Sequence, residues 1–234
     1  MKPSPKPAKT DNVHYIGHRA RLRERFIASK CGATQDYELL EILLFSAKLR
    51  GDVKPLAKSL IKGFGGFDRV FYASADELRA VDGVNDSAVA AIKAVYESIE
   101  KILHAGIEKK PVIGNWKKIV EYLRYSIGGA STENYRVLYL NKKNMLIAND
   151  LQDFGTVDQV PMYCREIIRR ALFLKASALV LAHNHPSGDP QPSQADIEVT
   201  NQLDQACFSV SIKLIDHLIL TKNDHFSFIQ NNLL

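Results

Sequence analysis

Cysteine is scarce in this chain and never paired. The 234 residues hold three, Cys31, Cys164 and Cys207, with no C-x-x-C spacing among them. A disulfide framework and the C-x-x-C metal or redox motifs are therefore not expected, and each cysteine reads as a small hydrophobe in apolar or helical surroundings. Long apolar runs are missing as well, so no segment reads as a membrane span. The opening Met1 to Thr10 (MKPSPKPAKT) is rich in Pro and Lys and lacks an apolar h-region, so no secretory signal is expected. These absences point to a cytoplasmic protein in a reducing compartment, without membrane contact.

Excess charge is also absent from most of the chain. The formal net charge is +5, but residues 1–30 hold eight Lys or Arg against two acids. Residues 31–110 hold eleven against twelve, and residues 111–234 hold twelve against twelve. A basic segment is thus attached to a neutral globule, and any inference of nucleic-acid binding from charge applies to that segment alone. With 46% hydrophobic and 24% charged residues, the composition excludes a disordered chain, a collagen-like repeat and a coiled-coil rod. It permits a real core over one or two domains.

Patterning favours two. Residues 1–12, with three Pro and three Lys in the first nine positions, read as a disordered basic tail. Residues 13–107 carry helical spacing throughout. Asp36 is placed to cap a helix bearing Leu39, Leu40, Leu43 and Leu44. Pro55 opens another, which Gly63 and Gly65-Gly66 stop, and Ser74-x-x-Glu77 is a capping box. Residues 108–114 (EKKPVIG) read as a linker. From 115 to 234 the period alternates. Helices are expected at Trp116–Ile127, Tyr163–Lys175 and Ser193–Cys207. Strands are expected at Tyr135–Leu140, Met145–Ala148, Ala178–Ala182, Val210–Leu214, Leu218–Thr221 and Phe226–Ile229.

The chemistry concentrates just after the apolar run Ala178–Ala182. His183 and His185, at i and i+2 leaving a strand, point to one side, about 7 Å apart by strand rise. That suits two imidazoles converging on one ion, at roughly 2.0–2.1 Å each for zinc. Pro186 and Gly188 break the strand, and a helix starting at Ser193 presents Asp196 in its first turn. Two nitrogens and a carboxylate leave a fourth position for water, the pattern of a catalytic rather than a structural zinc. Each half alone has an ordinary explanation: an exposed H-x-H loop, and a Ser193-x-x-Asp196 capping box. Their joint occurrence is what points to a metal. HExxH is absent, and H-x-E followed by P-C-x-x-C, the deaminase pattern, does not fit. Asp216-His217 fits either support of a metal ligand or an ordinary polar pair at a strand start.

His183-x-His185-Pro186, six residues, then Ser193-x-x-Asp196 resembles the JAMM metallopeptidase motif of JAB/MPN domains at every spacing. The wider string HNHPSGDPQPSQADIEVT resembles the bacterial RadC family (UPF0758), with Val160-Pro161 and Arg165-Glu166 upstream and Leu214-Ile215-Asp216-His217 downstream. Asn184 stands where JAMM deubiquitinases usually have Ser or Thr. The resemblance implies an α + α/β protein: a helical, helix-hairpin-helix-like domain followed by a JAMM/MPN, cytidine-deaminase-like α/β domain. It implies a zinc (Zn2+) hydrolase acting on a protein or peptide, with His183, His185 and Asp196 as metal ligands. The ion lowers the pKa of its water from about 15.7 to about 7. Ser193 is implied as a donor to the oxyanion. The family also needs a proton-carrying Glu from a strand upstream of the histidines. Glu133, just before Tyr135, is the candidate, with Glu166 as competitor on a helix beside Arg169 and Arg170.

Leu78-Arg79-Ala80-Val81-Asp82-Gly83-Val84-Asn85 resembles a helix-hairpin-helix, with Asn85, which tolerates the left-handed region, in place of the second glycine. Arg19, Arg21, Arg23 and Arg25 form a cationic run. The alternative class is thus a DNA-associated protein that contacts DNA non-specifically through residues 13–107, its metal site structural or vestigial. His14, His18, His104 and His225 are expected at the surface.

Overall fold

A computed structural model describes residues 17–29, 33–108, 111–152 and 160–234 of the chain. The expected tail at 1–12, His14 and Cys31 lie outside the described residues. The chain divides into two compact units, 1–95 and 96–234.

The described part of the first unit is helical: α1 (His18–Ala28), α2 (Asp36–Ala47), α3 (Lys54–Phe64), α4 (Phe67–Tyr72), α5 (Ala75–Arg79) and the first half of α6 (Asp86–Glu108). Leu40 and Leu44 of α2, one turn apart, are fully buried with Leu60, Val70, Leu78 and Ile92. Gln35, not Asp36, is the N-cap of α2; Asp36 occupies the first turn, where its charge favours the helix N-terminus. Gly65, at φ 78°, ends α3 as the glycine pair implied. The Ser74–Glu77 capping box is formed in both directions. Between α5 and α6 the chain turns through Gly83, at φ 84°. Asn85, which stands in the second glycine's place and tolerates the left-handed region, is not among the positive-φ residues. It caps α6 instead, its Oδ1 accepting from the Ala88 N–H at 2.9 Å.

The division between units falls within α6, upstream of the expected linker, because Leu103 and Ile107 of its second half pack into the second unit's core. Within the expected linker, Val112 is buried, and its N–H bonds Asn144 O at 2.8 Å. A short 3-10 turn (Ile113–Asn115) leads into α7 (Trp116–Ile127). Then come β1 (Tyr135–Leu140), β2 (Leu146–Gln152), α8 (Val160–Phe173), β3 (Ala178–Asn184), α9 (Gln194–Ser209), β4 (Lys213–Leu220) and β5 (His225–Ser227). The sheet order is β2-β1-β3-β4-β5, antiparallel except for the β3–β4 pair. That parallel pair requires a crossover, and α9 supplies it.

Strand alternation sorts the side chains onto two faces. Leu138, Val180, Ala182 and Leu218 face Ile119, Leu123 and Ile127 of α7. Val137, Leu179 and Leu181 face Ile167 and Ala171 of α8 and Leu203 and Cys207 of α9. Every residue of β3 is buried, as a central strand covered on both sides must be. By the same alternation His183 falls on the α9 side and Asn184 on the α7 side. Two expectations change here. Residues 210–214 and 218–221 are not two strands: β4 runs unbroken from Lys213 to Leu220, with Asp216 and His217 buried inside it. Likewise β3 continues past Ala182 to Asn184. Among the described residues, no helix is long and apolar enough to cross a membrane.

Candidate metal centre

β3, the central strand, delivers His183 at its C-terminal end, and the turn after it delivers His185. The His185 N–H bonds Leu220 O at 2.9 Å, and Gly188, at φ 87°, lets the chain reverse toward α9. Ser193 then N-caps α9, accepting the Asp196 N–H at 3.2 Å, while its own N–H bonds Asp196 Oδ2 at 2.8 Å. The capping box therefore exists, and it aims the Asp196 carboxylate at the histidines.

One nitrogen or oxygen from each of His183, His185 and Asp196 lies within 4.8 Å of the others. His183 Nε2 is 3.0 Å from His185 Nε2 and 3.2 Å from Asp196 Oδ1, and His185 Nε2 is 3.4 Å from Asp196 Oδ2. His183 and Asp196 are buried, and only the His185 side is partly open. Lone-pair atoms crowded this closely need a proton or a cation among them. Two imidazole nitrogens with a carboxylate oxygen are a donor set that suits zinc, so the residues fit the ion.

Outer contacts hold each of the three. His185 Nδ1 donates to the Asp189 carbonyl at 2.9 Å, which leaves Nε2 as the lone-pair nitrogen. His183 Nδ1 meets His217 Nε2 at 2.8 Å, and the Tyr135 ring stacks on His183 with centroids 4.8 Å apart. Asp196 Oδ2 also accepts from Ser193 Oγ at 2.6 Å. Burial opposes ionisation of Asp196, but the His183 contact and the Ser193 bonds outweigh it and hold the carboxyl well below the usual carboxylate range. Burial first, and the neighbouring His183 next, push His217 well below the usual histidine range.

The Asp216-His217 pair is thus split between two jobs. His217 supports a cluster histidine, whereas Asp216 accepts from Ser227 Oγ at 2.5 Å and from the Ile229 N–H at 3.0 Å, tying down the C-terminal turn. Burial raises the Asp216 carboxyl despite these bonds. Thr200 and Tyr135 were not singled out from the sequence as parts of the site, and Asn184 only as a departure from the deubiquitinase pattern. Thr200, one turn after Asp196, bonds His217 Nδ1 at 2.6 Å. Tyr135 pairs with His183 in the β1–β3 register. Asn184 holds the segment before β1: its Oδ1 accepts the Asn134 N–H at 2.7 Å and its Nδ2 donates to Thr132 O at 3.0 Å. The i+4 spacing of Thr200 from Asp196 was the one signal available beforehand.

Glu133 is exposed in that same segment, two residues before β1. Glu166 sits on α8 and pairs with Arg169 at 2.7 Å. Of the histidines expected at the surface, His18 bonds the buried Glu41 at 2.8 Å, and His104 pairs with Glu108 at 3.2 Å. In the basic run, Arg19 bonds Gly51 O at 2.7 Å and lies over the Phe45 ring, and Arg25 pairs with Glu38.

A strand–turn–helix that gathers two imidazoles and a carboxylate against a helix-covered sheet defines a JAB-type domain, and residues 113–233 match the family model described as the RadC-like JAB domain. A UPF0758 protein of Ruegeria pomeroyi is 46% identical over 211 residues, 90% of this chain and 94% of its own length. Another, of Rhodobacter capsulatus, is 45% identical over 213 residues, 91% of this chain and all of its own. The chain belongs to the RadC family.

Proposed function

We propose that this chain is a zinc-dependent hydrolase of JAMM type that cleaves an amide bond in a protein or peptide, as a peptidase or isopeptidase. The observation that carries this reading is the meeting of His183 Nε2, His185 Nε2 and the Asp196 carboxylate within 4.8 Å. These three would hold the ion. Zinc bound there supplies Lewis acidity and a water acidic enough to ionise near neutral pH. The part-open His185 side is the approach for substrate, since His183 and Asp196 are buried.

Glu133 is the proton carrier in this reading. Tyr135, the first residue of β1, is paired with His183, and Glu133 lies two residues before it, so continuing the same register would bring Glu133 opposite His185. From there the exposed Glu133 carboxylate takes a proton from water and returns it to the leaving nitrogen. Ser193 Oγ now donates to Asp196 Oδ2. To stabilise the oxyanion, its hydrogen turns from that oxygen to the substrate carbonyl. A peptide-library assay with zinc-loaded protein tests the reading. Cleavage is expected in wild type and lost in Glu133→Gln, which retains zinc. Absence of cleavage in the zinc-loaded wild type contradicts the enzyme reading, and unchanged turnover in the variant moves the proton to another residue.

A second reading rests on the exposed Arg21 and Arg23 of α1: the helical unit meets DNA through phosphates, its α5–α6 turn serving as a helix-hairpin-helix. Binding would then be sequence-tolerant and weaken steeply with salt. No binding at low salt removes it.

A further inference from the structure

Thr200 has one hydroxyl hydrogen, and its Oγ1 lies 2.6 Å from the Asp196 backbone carbonyl, an atom that can only accept. That hydrogen is therefore committed to Asp196 O. The second contact of Thr200 Oγ1, with His217 Nδ1 at 2.6 Å, must then receive its hydrogen from the ring. His217 is fully buried, and its Nε2 carries the lone pair when Nδ1 carries the single hydrogen of a neutral ring. The 2.8 Å contact between His217 Nε2 and His183 Nδ1 then takes its hydrogen from His183. With Nδ1 protonated, His183 keeps Nε2, the nitrogen facing His185 Nε2 and Asp196 Oδ1, for a metal ion or for the proton that stands in for it when the ion is gone. The direction of every bond follows from the one carbonyl at its end.

We propose that Thr200 and His217 are positioning residues: the directed chain His183 Nδ1–H to His217, His217 Nδ1–H to Thr200, and Thr200 O–H to Asp196 O locks His183 in the one tautomer that can bind a metal. The chain begins on one cluster residue and ends on the backbone of another, so it also fixes the His183 ring relative to the first turn of α9. His185 reaches the same tautomer independently, through the Asp189 carbonyl. The proposal deepens the metal-centre reading and rests on it for its zinc measurement, though the tautomer is a property of the protein alone.

Thr200→Val tests the chain with little change of shape, removing the hydroxyl and leaving a methyl in its place. Thr200→Ser restores the hydroxyl. Long-range 1H–15N NMR of the metal-free full chain reads the tautomer directly. Wild type and Thr200→Ser should show His183 protonated at Nδ1, and Thr200→Val should show a mixture or the opposite tautomer. In chelator competition, Thr200→Val and His217→Ala should bind zinc about 10–100-fold more weakly than wild type, with Thr200→Ser close to wild type. Should His217→Ala fail to fold, the Val and Ser pair carries the comparison. Wild-type His183 protonated at Nε2 but not at Nδ1 overturns the proposal, as does a folded Thr200→Val that keeps the wild-type Nδ1 protonation and zinc affinity. If wild type binds no zinc, the metal reading falls, and the NMR result still decides the chain of bonds.

Discussion

Asn184 Oδ1 accepts the Asn134 backbone N–H at 2.7 Å, from a position between the two clustered histidines. Strand alternation turns Asn184 away from His183, toward the segment that enters β1. Its Nδ2 bonds Thr132 O at 3.0 Å, so both ends of one buried amide hold the stretch that carries Glu133. A Ser or Thr at this position has one hydroxyl and a shorter reach. The residue between the histidines thus links the His183–His185–Asp196 cluster to the loop proposed to move the proton.

Asn184→Ala should accordingly uncouple the two. It leaves the Asn134 N–H without its partner, while Thr132 O keeps its bond from Asn134 Nδ2 at 2.8 Å; the lost bond costs about 1–3 kcal/mol where water cannot replace it. Thermal unfolding should show the loss while zinc binding persists, because no ligand is touched. A variant that melts with wild type would show that Asn184 does not hold the loop.

Ser193→Ala separates the cap from the ligand. Ser193 caps α9 and donates to Asp196 Oδ2, so its loss should cost about 1 kcal/mol of stability. In the hydrolase reading, turnover should fall about 10²–10³-fold with zinc still bound, the range for a lost oxyanion donor. Steady-state rates on zinc-loaded protein measure it. Full turnover in the variant would leave Ser193 with the cap alone.

Gly128→Ala tests the packing at the end of α7. A Cβ there would lie 2.6 Å from Arg124 O and 2.9 Å from Thr221 O, both backbone atoms. Neither can move as a side-chain tip does, so overpacking of about 1–3 kcal/mol is expected. Denaturant titration should show it as a lower midpoint at unchanged slope.

The thiols give a chemical check on the α8–α9 side of the sheet. Cys207 is fully buried, and burial pushes its thiol up to about 12. Cys164 is half-buried and is also raised by burial. Alkylation of the native protein near pH 8 should spare Cys207 until denaturant is added, since the thiolate is the reactive form. Rapid modification of Cys207 in native protein would contradict the packing of α9.

How much of this was legible beforehand follows from sequence distance. His183, His185 and Asp196 lie within one strand–turn–helix, so spacing alone brings them together. β1 and α7 begin and end where their periodicity places them, because each is a clean alternating or amphipathic run. β3 and β4 run further than their apolar patterns predict, since His183, Asn184, Asp216 and His217 interrupt the apolar runs. Inside the protein these polar residues have partners: His183 meets His217, Asn184 meets Asn134, and Asp216 meets Ser227. Such pairs join residues far apart in the chain, and no local pattern predicts them. The same holds for Glu133: where its carboxylate falls relative to the histidines depends on the register of β1 against β3, which no local pattern fixes.

The hydrolase reading requires His183, His185 and Asp196 to hold zinc, and metal content decides that. Wild-type protein purified without chelator and dialysed should carry about one zinc per chain. The His183→Ala/His185→Ala double variant, folded by circular dichroism, should carry none. Wild type free of zinc, even after incubation with excess zinc and dialysis, or a double variant that retains it, would contradict the account.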